Sequence, residues 1–131
     1  MTLSADISKW VEKAEGNVDF VVRQAVILAM QGIVSMSPVD TGRFRANWNL
    51  SEGVPNEATS TAVDPTGNLT IQRIMAQSQG VKAGKIYYLT NALPYAERLE
   101  HGWSKQAPQG MVRITAMDLP RRLEAIAARL Q

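Results

Sequence analysis

The sequence predicts a single α+β domain: a small antiparallel or mixed β-sheet packed with a long N-terminal helix, a short middle helix and a C-terminal helix. Three observations predict it. Apolar residues recur at three- and four-residue steps through residues 4–36. The period then drops to two over residues 43–50, where Phe44, Ala46, Trp48 and Leu50 alternate with Arg43, Arg45, Asn47 and Asn49. A second helical stripe ends the chain, with Leu119, Leu123, Ile126, Ala127 and Leu130 on one face.

Within residues 4–36, Ile7, Trp10, Val11, Ala14, Val18, Val21, Ala25 and Leu28 form one stripe, and Val22, Val26, Ala29 and Ile33 a second beside it. A helix with two apolar stripes is buried on two sides, within the fold or against a neighbouring subunit. Ser4 is placed to cap its start, with Asp6 in the first turn, and Gly16-Asn17 can divide it in two. The helix must stop near Ser37-Pro38, because the residue before proline is driven out of the α region.

Residues 38–42 then make a tight turn, in which Asp40 is expected to accept backbone N–H groups and Gly42 to take a positive φ. The alternation over 43–50 reads as a half-buried strand whose outer face carries Arg43 and Arg45, with Phe44 and Trp48 beneath. Residues 51–63 are small and polar, the composition of a flexible loop.

Residues 64–131 mix helix and strand. Asp64-Pro65 suits an N-cap and first helical position, ahead of a short helix carrying Leu69, Ile71, Ile74 and Met75. Residues 85–91 (KIYYLTN) have strand composition. Residues 94–100 form one or two helical turns closed by Gly102, residues 111–115 a short strand, and Asp118 caps the last helix.

Composition narrows the function classes. The 131 residues are 45% hydrophobic, which suits one modest core, and there is no cysteine for disulfide or thiolate chemistry. The opening residues lack the pattern of a signal peptide, and no apolar stretch approaches the ~20 residues that cross a bilayer, so no membrane partner is expected. A net charge of +2 is small for a dedicated polyanion binder.

Residue supply speaks against an enzyme. His101, the single histidine, falls at a helix end, where it suits the dipole better than a nucleophilic triad. One histidine and no cysteine leave no metal-ligand cluster, and the spread glycines make no phosphate loop, so no cofactor or metal is expected. Glu97 and Glu100 share a helix face without a partner that would make an acid–base pair. Trp103, in a polar loop with Lys105, is better placed for an interface than for a core, and Arg43, Arg45, Met111 and Arg113 join it as candidate interface residues. The arginine-bearing strand face, with Lys82, Lys85 and the arginines of the last helix, alternatively suits nucleic-acid phosphates.

The segment Ser37-Pro38-Val39-Asp40-Thr41-Gly42-Arg43-Phe44-Arg45-Ala46-Asn47-Trp48, following an apolar helix, resembles a signature of the tail-completion and neck (head–tail joining, minor tail component) proteins of long-tailed double-stranded DNA bacteriophages. The segment Asn91 to Ser104 resembles the family's second signature, in which Tyr95-Ala96 leads into Glu100-x-Gly102. Residues 106–113 and the C-terminal helix are similar to it as well. The resemblance implies a virion structural protein without catalysis, made in the bacterial host cytoplasm. It would form a homo-oligomeric ring at the head-proximal end of the tail and touch neighbouring tail and connector proteins. DNA passing through the ring is a further candidate partner. A nucleic-acid-binding module, a hydrolase and a virion assembly factor are the alternatives.

Overall fold

The computed structural model describes residues 2–3 and 18–130. The expected helical start over 4–17, with Ser4, Asp6 and the Gly16-Asn17 break, lies outside the described residues. In chain order the elements are β1 (Thr2–Leu3), α1 (Val18–Met36), α2 (Arg43–Ala46), β2 (Trp48–Glu52), α3 (Asn68–Ser78), β3 (Tyr87–Asn91), α4 (Ala96–Glu100) and α5 (Val112–Leu130). The α+β expectation holds: a small antiparallel sheet with a long helix before it, a short one in the middle and another at the end.

The sheet has the order β1-β3-β2. Trp48 pairs with Asn91 and Glu52 with Tyr87, while Thr2 and Leu3 pair with Thr90 and Leu89. Helix α1 packs against both α3 and α5, and this contact with two neighbours accounts for its two apolar stripes. Val21, Ala25 and Ala29 meet Leu119 and Leu123 of α5 in one cluster. Met30, Ile33 and Val34 meet Phe44, Trp48, Ile74, Leu89, Leu93 and Met111 in the other. Where α1 and α5 approach, Gly32 faces Thr115 so closely that a Cβ would sit 2.9 Å from the Thr115 hydroxyl. Contrary to the expectation from composition, α1 is long and apolar enough to cross a bilayer. Its packing within the fold is what a core helix shows equally well.

Of the expected strands, 43–50 is helical in its first half and 111–115 nearly throughout. Residues 43–46 form the turn α2, with Ala46 N–H donating to Gly42 O and Asn47 N–H to Phe44 O, and the strand starts only at Trp48. Phe44 and Trp48 are four residues apart, so a helical turn also brings both to the core, and a period of two was not the only pattern they fit. Residues 112–115 are the start of α5 rather than a strand, with Met111 just before it. Asp118 therefore lies inside the helix, where it pairs with Arg121 at 2.8 Å and Arg122 at 3.2 Å instead of capping. The Arg121 hydrogen bond, helped by the charges of both arginines, holds its carboxyl below the usual range against the opposing effect of burial.

Of residues 51–63, expected as a flexible loop, 51 and 52 instead complete β2, and residues 53–63 are exposed but tied back to the sheet edge. Asn47 Oδ1 accepts from Ser60 N–H at 2.8 Å, and Asn49 Nδ2 donates to Ala58 O at 3.1 Å. Arg73 of α3 donates to the Ala46 and Trp48 carbonyls and to Asn49 Oδ1, which occupies acceptors beside β2.

Asp64 caps α3, but at a longer reach than the sequence suggested. The helix begins at Asn68, after Gly67 with a φ of 80°, and Asp64 Oδ2 accepts from Thr70 N–H at 2.7 Å. Burial raises the Asp64 pKa, and the hydrogen bonds from Thr70, Leu69 and Gly67 overcome it, leaving the carboxyl below its ordinary 3.8. A folded-state pKa below the unfolded value contributes stability above 3.8 that is lost as pH falls through the lowered value. Asp64→Asn is therefore expected to flatten the acid limb of a urea-midpoint profile. An unchanged acid limb would show that other carboxylates set it.

Candidate functional site

The first motif segment is held by its own polar atoms. Pro38 is buried, and Trp48, with no exposed surface, donates its Nε1–H to Ser37 Oγ at 2.9 Å. The Ser37 hydroxyl in turn donates a hydrogen bond to Ile33 O at 2.7 Å, so the buried indole N–H and the end of α1 share one hydroxyl. Gly42 adopts φ 95° as expected, and its carbonyl accepts from both Ala46 and Asp64 N–H. Thr41 Oγ1 accepts from Arg43 N–H at 3.2 Å. Asp40 departs from expectation: it is exposed, and among the described residues no backbone N–H donates to it. Gly42, its carbonyl and Thr41 supply the order that Asp40 was expected to supply.

The helical turn also redirects the two arginines. Arg43 Nε donates to Ser60 O at 2.9 Å, tying down the loop. Arg45 donates to the Ser35, Ser37 and Pro65 carbonyls, each at 2.9 Å, and so joins the end of α1 to the approach to α3. A cation on the last carbonyls of a helix is favourably placed against its dipole. The expected common outward face of Arg43 and Arg45 does not exist. Arg45→Gln is expected to destabilise the isolated chain by about 2 kcal/mol, the scale of hydrogen bonds made by a charged donor. A thermal melt checks this, and wild-type melting would return Arg45 to the surface contacts.

The second motif segment folds onto the first. Asn91, fully buried, donates Nδ2–H to Phe44 O at 2.9 Å and accepts from Leu93 N–H at 3.2 Å. The Phe44 ring lies 5.8 Å from Trp48, edge to face, and 5.9 Å from Tyr95. Ala96 is buried. The Gln106 amide meets the Val39 backbone twice, accepting from its N–H and donating to its carbonyl, both at 2.9 Å.

Helix α4 ends in a glycine-dependent motif. Gly102, with φ 86°, donates its N–H to Leu99 O and Trp103 N–H to Arg98 O. These are the paired bonds of a Schellman ending, and they place Trp103 beside the Arg98 guanidinium. A Cβ on Gly102 would stand 2.6 Å from Pro108 O, so the loop closes tightly on itself there.

Glu97 is exposed, while Glu100 is buried and serves the next helix. Its Oε1 accepts from Met111 and Val112 N–H at 2.8 and 2.9 Å, and its Oε2 from Arg113 N–H at 2.9 Å. These donors are amides that the start of α5 leaves unpaired, so Glu100 caps that helix from another element.

The candidate interface residues thus separate. Met111 has no exposed surface and belongs to the core, contrary to expectation, because its amide must reach Glu100. Arg43 and Arg45 are committed to backbone carbonyls. Arg113 places its guanidinium on Gln109 O at 2.7 Å and is exposed, as is Lys105. Trp103 is 72% exposed, with the Arg98 guanidinium 4.9 Å from its ring centroid. Lys85 of the nucleic-acid alternative pairs with Glu52 at 3.6 Å. His101 is exposed at the end of α4, its N–H on Glu97 O, and the described residues contain no group of three or more residues that could hold a metal ion.

Asn47, Asn91, Gln106 and the capping role of Glu100 escaped the sequence reading. Asn47 and Asn91 stand next to residues that pack in the core, and alternation would turn such neighbours outward, so no period in the sequence signalled their burial. No protein-family model, curated protein or solved structure matches the chain.

Proposed function

We propose that this chain is a structural protein of a long-tailed phage virion that completes the tail or joins it to the head. It acts as a subunit of a ring of its own copies, with tail and connector proteins as neighbours and without catalysis. One observation carries the reading: the two family-like segments interlock at Asn91–Phe44, 47 residues apart, and the third similar stretch joins the first at Gln106–Val39, 67 residues apart. In that unit Gly42, Arg45, Asn91, Glu100 and Gly102 serve architecture, and the loop they support carries the exposed Trp103. This is the expected division of labour in a protein that offers a rigid contact surface to neighbours, and heterologous contacts between such subunits close into rings.

The DNA-binding alternative loses its strand face, since the Arg45 guanidinium is occupied by three carbonyls. The test is mass spectrometry of purified particles together with electron microscopy of particles made without this chain. The chain is expected in finished virions, and its loss is expected to leave filled heads and tails unjoined. Absence from finished particles would favour an assembly factor, and normal joined particles without the chain would overturn the proposal.

A further inference from the structure

The most exposed aromatic among the described residues sits on a closely tied backbone. Trp103 leaves 72% of its surface open, yet its backbone is fixed by the Schellman ending at Gly102. Its loop is pinned on one side by the Gln106–Val39 pair and on the other by Glu100 holding the 111–113 amides. A tryptophan carried on a fixed backbone leaves only its side chain to be ordered when a partner binds.

The charges around it are one-sided. Residues 94–113 carry Arg98, Lys105 and Arg113, all exposed, against one exposed carboxylate, Glu97. Glu100, the other carboxylate of the segment, is buried on backbone amides. Asp40 lies across the Gln106–Val39 pair, in the next residue of the turn. Among the described residues, no salt bridge joins Arg98, Lys105 or Arg113 to a carboxylate. The Arg98 guanidinium carbon lies over the Trp103 ring, 4.9 Å from its centroid, and a guanidinium has five N–H donors with which to meet a carboxylate.

We infer that the Trp103 loop is a docking site for an acidic protein segment that seats an apolar side chain on the Trp103 ring and sets carboxylates against Arg98 and Lys105. This rests on the contact role proposed above for the loop, and it names the chemistry of the partner. Charge complementarity favours an acidic protein over a second copy of this chain. The exposed strip at the opposite end of the sheet, with Glu52, Glu57 and Val54, also carries Lys82 and Lys85 and offers no acidic excess.

The test pans a library of random short peptides on the purified full chain, with Trp103→Ala and Arg98→Gln/Lys105→Gln variants in parallel. Enriched peptides are expected to carry several Asp or Glu residues beside an aromatic or large aliphatic one. Their affinity is expected to fall about 30-fold for Trp103→Ala, the loss typical of an aromatic hot spot. A several-fold fall is expected for the double variant, and further weakening as salt rises from about 0.05 to 0.5 M. Melting of each variant is checked first, and Trp103→Gln replaces any alanine variant that does not fold.

Enrichment that is equal on Trp103→Ala, or peptides without acidic excess, overturns the inference. So does tighter binding of single-stranded oligothymidylate than of any peptide, which would assign the patch to nucleic acid. Self-association in sedimentation that Trp103→Ala abolishes would assign it to a second copy. A chain missing from virions would defeat the proposed function and leave the peptide result standing.

Discussion

Glu100→Ala is expected to lower the melting temperature by about 10 °C. The carboxylate is 9% exposed and accepts three backbone N–H groups at 2.8–2.9 Å, all at the start of α5. Alanine leaves those amides without the acceptor and removes the tie between α4 and α5. Hydrogen bonds to a charged group contribute about 1.5–3 kcal/mol each, and bonds to one carboxylate do not add fully, so about 3 kcal/mol is the expected loss. At about 3–4 °C per kcal/mol for a chain of this size, that gives the stated shift. Glu100→Gln retains an oxygen for Met111 and Val112 but turns an NH2 group toward the Arg113 amide, so about half the loss is expected. Hydrogen exchange at the 111–113 amides should accelerate in both variants before the rest of the fold does. Wild-type melting of the alanine variant would remove the cap from the account of α5.

Gly42→Val is expected to prevent stable folding, whereas Asp40→Ala, two residues away, should be nearly silent. A Cβ at Gly42 would collide with the Pro65 backbone nitrogen and lie 2.7 Å from the Asp64 carbonyl carbon and 2.8 Å from Pro65 Cα. Backbone cannot yield as a flexible side chain does. The φ of 95° adds a penalty of roughly 1–2 kcal/mol for any residue with a Cβ, and more for a branched one. The combined loss is expected to exceed about 4 kcal/mol, in the range that marks a broken backbone contact. Asp40 is exposed and accepts from no described backbone amide, so its loss should stay within about 0.5 kcal/mol. Denaturant midpoints and the soluble yield of both variants decide the matter. A folded Gly42→Val, or an Asp40→Ala as damaging, would mean that the turn is ordered by the aspartate after all.

The core was more legible than the elements that build it. Phe44 and Trp48 were assigned inward, and both are buried, although the segment joining them turns as a helix and not as a strand. Burial depends on an apolar side chain finding apolar neighbours, and a spacing of four residues permits that in either geometry. The positive φ at Gly42 and the stop of α1 before Pro38 were legible for a local reason, since sterics of one or two residues dictate them. The polar side chains were not. Arg45 and Asn47 read as solvent-facing from the alternation, but each is tied to backbone groups supplied by residues 4 to 20 positions away.

By itself, then, the sequence determined what local sterics and apolar periodicity control: the α+β class, the long and C-terminal helices, a strand within residues 85–91 and much of the apolar core. Tertiary structure decided what depends on a partner distant in the chain. Residues 111–115 have the β-branched content of a strand, yet they begin a helix because Glu100 of α4 arrives at their amides. Arg45 became a clasp and not a surface charge because three carbonyls converge on it. Trp103 remained outside because its loop closes at Gly102 and is fastened to Val39. Hydrogen-bond partners of this kind have no fixed spacing, so no period in the sequence announces them.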